Sequence, residues 1–209
     1  MSFVLTEIAV QRLITYGINK LRKDEKAFRD IFAYMTCNPL MSQQYGIDFV
    51  DKMWMWFSNS KIPALSAWSL TPQIVPCYSV TLASDTEDES KAAINDFYGD
   101  GEDGEIHVSP NTTTVDIGCH ASRNPEEVLW LYYILQYIIL KNKNIAEYLG
   151  LQLQTQSASD WARENKTPEN IYTRWVRFRV TIYNTWLGDG NMCVEDLDIG
   201  INFEGVNRE

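Results

Sequence analysis

The sequence predicts an α+β fold: a mixed or mostly antiparallel sheet packed on one long apolar helix, with an N-terminal three-helix region. Three patterns predict it. Residues 128–140 read VLWLYYILQYIIL, with Gln136 as the only plainly polar side chain. A helix that is apolar all round must be covered on more than one face. At thirteen residues the run falls short of the roughly 18 that a membrane span needs. The cover is therefore protein: a sheet on one side, and a second layer or another subunit on the other. The flanking segments alternate with a period of two. Val115, Ile117 and Cys119 oppose Asp116, Gly118 and His120, while Val176, Phe178, Val180 and Ile182 oppose Arg177, Arg179 and Thr181. Before residue 60, apolar residues recur at helical spacing instead.

Taken in order, residues 3–21 predict a helix with Leu5, Ile8, Ala9, Leu13 and Tyr16 on its apolar face. Asp24 caps a second helix, whose stripe is Phe28, Ile31, Phe32 and Met35. Asn38-Pro39 breaks it. A third helix covers 42–57, with Phe49, Val50, Met53, Trp54 and Phe57 on one face. Strand chemistry follows over 68–84, restricted in its first half by Pro72 and Pro76. Next come an acidic turn at 85–89, a short helix at 90–97 and a GDGEDGE loop at 99–105. Ile106 and Val108 start a strand that Ser109-Pro110-Asn111 interrupts, and a new strand covers 113–120. Asn124 as cap, Pro125 in the first turn and Glu126-Glu127 at the positive end of the dipole start the long helix. Gly150 ends it. Strands at 151–157 and 170–187 follow, then a turn at 188–191 and a strand or arm over 192–203. This divides the chain into a helical region (1–62), an α+β domain (63–187) and a C-terminal strand or arm (188–209).

A length of 209 residues suffices for one sizeable core. With 45% hydrophobic and 12% aromatic residues the composition is that of a globular chain rather than a disordered one. A net charge of −10 excludes a general basic footprint for nucleic acid. Cys37, Cys77, Cys119 and Cys193 stand singly with no CxxC pair, which argues for buried free thiols in a reducing compartment. The first residues, MSFVLTEIAVQR, lack a basic n-region, so no signal peptide or membrane association is expected.

The candidate chemistry is sparse. His107 and His120 are the only histidines. Cys119 and His120 adjoin, but neighbouring strand residues point to opposite faces and form no dyad. The acidic stretches miss the twelve-residue calcium-loop spacing. No phosphate-loop, dinucleotide or zinc-protease motif occurs. No catalytic residue, metal or cofactor is therefore expected. Arg174, Arg177 and Arg179 remain, either as a solvated face or as an ion-pair surface meeting Asp85, Glu87 and Asp88 of a neighbouring copy. Trp130, Tyr133 and Tyr137 on the long helix, with Trp186 at the end of the last long strand, are candidates for core or partner contact.

The order of these features resembles the tail-terminator and neck proteins of contractile-tailed bacteriophages. The resemblance spans roughly residues 70–187. A proline-led strand runs into an acidic turn (PQIVPCYSVTLASDTEDES), then strand, long apolar helix and strand, then IYTRWVRFRVTIYNTW. It implies a structural virion protein, assembled in the host cytoplasm, forming a ring, usually a hexamer, at the head–tail junction. Such a ring terminates the tail tube and sheath, joins them to the head-side connector, and lets DNA pass through its lumen without reading its sequence. The N-terminal helices and the chain after Gly188 do not fit the minimal family pattern. The rival readings are another connector or baseplate component, such as a head-closure or tail-completion protein, a small metal-dependent hydrolase using the acidic loops, and a regulatory binding module without a ring.

Overall fold

The structure, a computed structural model, describes residues 5–46, 48–66, 75–87, 96–101, 104–122, 124–159 and 171–188. Helix α1 (Thr6–Leu21) buries Ala9, Val10, Leu13, Ile14 and Ile18 on one face. Four short helices follow: α2 (Glu25–Ile31), α3 (Ala33–Cys37), α4 (Pro39–Tyr45) and α5 (Phe49–Asn59). Asp24 caps α2 as expected, its carboxylate accepting from the Ala27 amide at 2.9 Å. The expected three helices are thus five. The second breaks at Phe32, whose φ of −107° is not helical. The third breaks at Gly46, whose φ of +87° is a left-handed conformation that L side chains rarely adopt.

Six strands form one sheet among the described residues: β1 (Ala64–Ser66), β2 (Cys77–Glu87), β3 (Asp96–Gly101), β4 (Gly104–Ala121), β5 (Gln152–Ser159) and β6 (Tyr172–Gly188). The order is β1-β2-β4-β6-β5, with β3 pairing β4. Only β1 and β2 run parallel; the other pairs are antiparallel, so the α+β class holds with a mixed sheet. Several expected boundaries move. β4 runs unbroken through Pro110, which is paired with Tyr183. On its other side β4 changes neighbour there, from β2 at Asn111 to β3 at Val108, so a missing N–H costs least at this point. The expected acidic turn is strand as far as Glu87, with Asp85 opposite Thr113 and Glu87 opposite Asn111. The expected helix at 90–97 ends in strand, since Phe97 belongs to β3; residues 88–95 lie outside the described residues. The GDGEDGE segment is the end of a hairpin, with Gly101 opposite Gly104. The turn and tail beyond residue 188 also lie outside the described residues.

The long helix starts where expected. Asn124 accepts from the Glu126 amide at 2.9 Å and Pro125 opens the first turn. It is two helices, however: α6 (Pro125–Lys141) and α7 (Lys143–Tyr148). The break falls at Asn142, whose buried side chain donates to the Ile138 carbonyl at 2.7 Å and competes with the backbone ladder. Nor does α6 cover the sheet alone. A small apolar void lined by Leu13 and Ile14 of α1, Val115 and Ile117 of β4, Ile139 of α6 and Phe178 of β6 marks where both helices meet the sheet. Gly17 of α1 lies so close to α6 that an added Cβ would sit 2.3 Å from Ile138 Cγ2. The Tyr78 hydroxyl ties β2 to α6 by donating to the Leu131 carbonyl at 2.8 Å. The core cluster takes its β4 members from Val115 to Ala121 and its β6 members from Val176 to Ile182.

Candidate functional site

Helix α6 has three environments. Leu131, Ile134, Leu135 and Ile138 are buried. Trp130 is half-buried against the N-terminal helices, edge-on to Phe49 and Trp56 at 5.7 and 5.3 Å between ring centres. The second cover that an apolar helix needs is therefore supplied in large part by the chain itself. A third strip is left outside: Leu129 is 41% exposed, Tyr133 51% and Leu140 74%. Gln136 falls on the same line, and its side-chain nitrogen is enclosed without a hydrogen-bond partner. Tyr137 flanks the strip, with the Lys141 ammonium 5.8 Å from its ring centre. Burial, and then the carboxylates of Asp24 and Asp30, raise the Tyr137 phenol above its ordinary value.

The three arginines do not share one surface. Arg174 lies on the helix side of the sheet, half-buried, with its guanidinium 4.6 Å from the Tyr132 ring centre. Alternation along β6 dictates this, since residue 174 has the parity of Val176 and Phe178. Arg177 and Arg179 are on the opposite face and exposed. Arg177 is already engaged within the chain: its guanidinium donates to both carboxylate oxygens of Asp116, at 2.7 and 2.8 Å. The pair sits directly across the β4–β6 ladder, and the bond raises the Arg177 pKa. Arg179 stands across from Thr114 and Thr155. The backbones of Asp85 and Glu87 belong to β2 and that of Trp186 to β6, opposite His107; their side chains, and all of Asp88, lie outside the described residues.

One polar cluster was not foreseen. On the same face as Arg177, His120 Nε2 is 2.7 Å from Ser79 Oγ, and its Nδ1 is 2.9 Å from Thr173 Oγ1. The ring is edge-on to Trp175 at 5.6 Å. Cross-strand register brings the three together, with Gly118 opposite both Ser79 and Trp175, and His120 opposite Thr173. A Cβ on Gly118 would fall 2.4 Å from His120 Nε2, so only glycine leaves room for the ring. Burial pushes the imidazole down to about 4, so it is neutral at pH 7. Ser79 and His120 form a hydroxyl–imidazole pair, but both are buried and the orienting group is a hydroxyl rather than a carboxylate. The cluster's evident work is to lock β2, β4 and β6 in register.

The cysteines divide. Cys77 and Cys119 are buried, and burial raises both thiols, Cys77 to about 12. Cys37 is exposed at the end of α3, against the expectation of burial, because that short helix sits at the surface. Cys193 lies outside the described residues. Among the described residues no three His, Cys, Asp or Glu side chains gather as a metal site. Nor is any described helix long and apolar enough to cross a membrane. Comparison with known proteins finds no match to a family model and none to a curated protein.

Proposed function

We propose that this chain is a structural protein of the phage neck. It acts by assembly as a ring, a hexameric tail terminator, between the tail tube and sheath and the head-side connector. The observation that carries the reading is the β4–β6 ladder. It pairs without interruption from Glu105 opposite Gly188 to Ala121 opposite Tyr172. At roughly 3.3 Å per residue that is about 55 Å of strand, against about 25 Å for α6. A ladder so much longer than α6 offers strand for contacts with neighbouring subunits or with rings above and below. Subunits in a ring meet through such head-to-tail contacts, which close on themselves. A net charge of −10 suits a channel along which DNA slides without being held. Arg179 and the acidic end of β2 remain the candidates for setting the subunit register.

Native mass spectrometry and negative-stain imaging of the purified protein, alone and with tail tubes, test this reading. The expected result is a ring of about six copies with a central channel, alone or on the tube end. A chain that stays monomeric and leaves tube ends uncapped overturns it.

A further inference from the structure

The outer strip of α6 has a property that a general sticky patch lacks: it is its own complement. Leu129, Tyr133, Gln136 and Leu140 stand at i, i+4, i+7 and i+11. This is the narrow seam spacing by which one helix packs along another. Reverse the helix about the midpoint between Tyr133 and Gln136, and the strip maps onto itself. Leu129 then faces Leu140, and Tyr133 faces Gln136. The same operation brings the Glu126 end of one α6 to the end of the other that carries Lys141 and, after the break at Asn142, Lys143. In the single chain neither charge is firmly held. Lys143 is 3.9 Å from Glu147, and Glu126 is 3.4 Å from the Asn124 amide nitrogen. The Gln136 nitrogen, though on this line, is enclosed by the chain itself and is not part of the open strip.

We infer that α6 carries a two-fold self-association surface, on which a second copy of this chain lays its own α6 antiparallel. Charge complementarity picks out this occupant. A parallel neighbour would set Glu126 against Glu126 and Lys143 against Lys143, whereas the antiparallel one makes two opposite-charge contacts per pair of chains. Self-complementarity of this kind is the signature of an isologous contact. The inference concerns the free chain and stands apart from the neck reading, since a two-fold contact is used up by one partner while a ring needs two different contacts.

Sedimentation equilibrium of the full chain between about 1 and 100 µM, with four variants, tests it. Wild type is expected as a dimer or an even multiple. Leu140→Glu, at a 74% exposed position where the fold tolerates it, should weaken association by about tenfold or more. Glu126→Lys and Lys143→Glu should each weaken it several-fold. The double reversal E126K/K143E should restore it to within about twofold, because only residues that face one another can be exchanged in this way. Three results overturn the inference: a wild type still monomeric at about 100 µM, association indifferent to Leu140→Glu, or a double reversal no better than the singles. A ring that survives Leu140→Glu overturns the two-fold surface and leaves the neck reading standing. A dimer that never caps a tube does the reverse. Far-UV circular dichroism of each variant verifies that the helices are intact.

Discussion

The two faces of the sheet are held by different kinds of force. On the helix side, Val115, Ile117, Val176, Phe178 and Val180 meet α1 and α6 through apolar packing, with the Tyr78 hydroxyl as the main directional bond. On the far side, the Ser79–His120–Thr173 cluster and the Asp116–Arg177 pair link neighbouring strands through directional contacts. Packing supplies most of the stability and rules out a one-residue slip, which would turn the apolar set outward, but being non-directional it discriminates weakly against a two-residue slip. Polar links add less free energy. They also fail if a strand slips by two residues, which keeps each side chain on its face but gives it a new neighbour across the ladder. The helix side therefore governs how stable the sheet is and which face turns inward, and the far side selects among the registers that keep that face inward.

Four perturbations break or sharpen that contrast. The largest effect is expected on the helix side. Leu131→Ala empties a fully buried site between α6 and the sheet and should cost about 3 kcal/mol or more in urea denaturation. Next is the pH dependence of the far side. His120 is held neutral, its pKa down to about 4 from an ordinary 6.5. As pH falls below 6.5 the unfolded chain takes up the proton first, so stability drops until about pH 4 and then levels. The shift corresponds to about 3 kcal/mol across that window. A His120→Gln variant should lose this slope, and an unchanged slope would show that the histidine is not its source.

Gly118→Ala comes third. The added methyl collides with His120 Nε2 and with Ser79 Oγ at 2.6 Å. It should cost about 2 kcal/mol and should also loosen register, read as faster amide exchange along β2 and β4. Leu131→Ala should lower stability with no preference for those strands. The smallest effect is at the exposed pair. Arg177 is 56% exposed and Asp116 21%, so Arg177→Ala should cost no more than about 1 kcal/mol, and less still in high salt.

The same contrast explains how much of the fold was legible in the sequence. Apolar periodicity marks the helix side, and it identified α6, β6 and the sheet face carrying Val115 and Ile117; it found the helix α1 but misplaced its inner face, since Leu5, Ile8 and Tyr16 are exposed and Val10, Ile14 and Ile18 are buried with Ala9 and Leu13. Local caps were legible too: Asp24 and Asn124 cap as their positions require. The breaks at Phe32 and Asn142 were not, because both lie inside runs whose apolar spacing continues across them. Gly46 did carry a signal, as a glycine between two aromatic stretches, and it should have been read as a stop. The far-side cluster was out of reach. Ser79 and His120 are 41 residues apart in sequence, His120 and Thr173 53, and nothing local ties them. Only the pairing of three strands does so. Among the candidate site residues, Arg174 could have been separated from Arg177 and Arg179 by parity alone. The engagement of Arg177 by Asp116 required the β4–β6 register.

The edge-on contact between Trp56 and Trp130, 5.3 Å apart with planes at 76°, also has an optical consequence. Two indoles this close couple their transition dipoles and give a circular-dichroism couplet that neither produces alone. One ring belongs to α5 and the other to α6. The couplet therefore reports whether the N-terminal helices are seated on the long helix, separately from whether either is helical. Trp56→Phe removes the signal while keeping an aromatic ring in place. The protein thus carries its own gauge for the docking of its first sixty residues, readable during refolding, on dilution or as it joins an assembly.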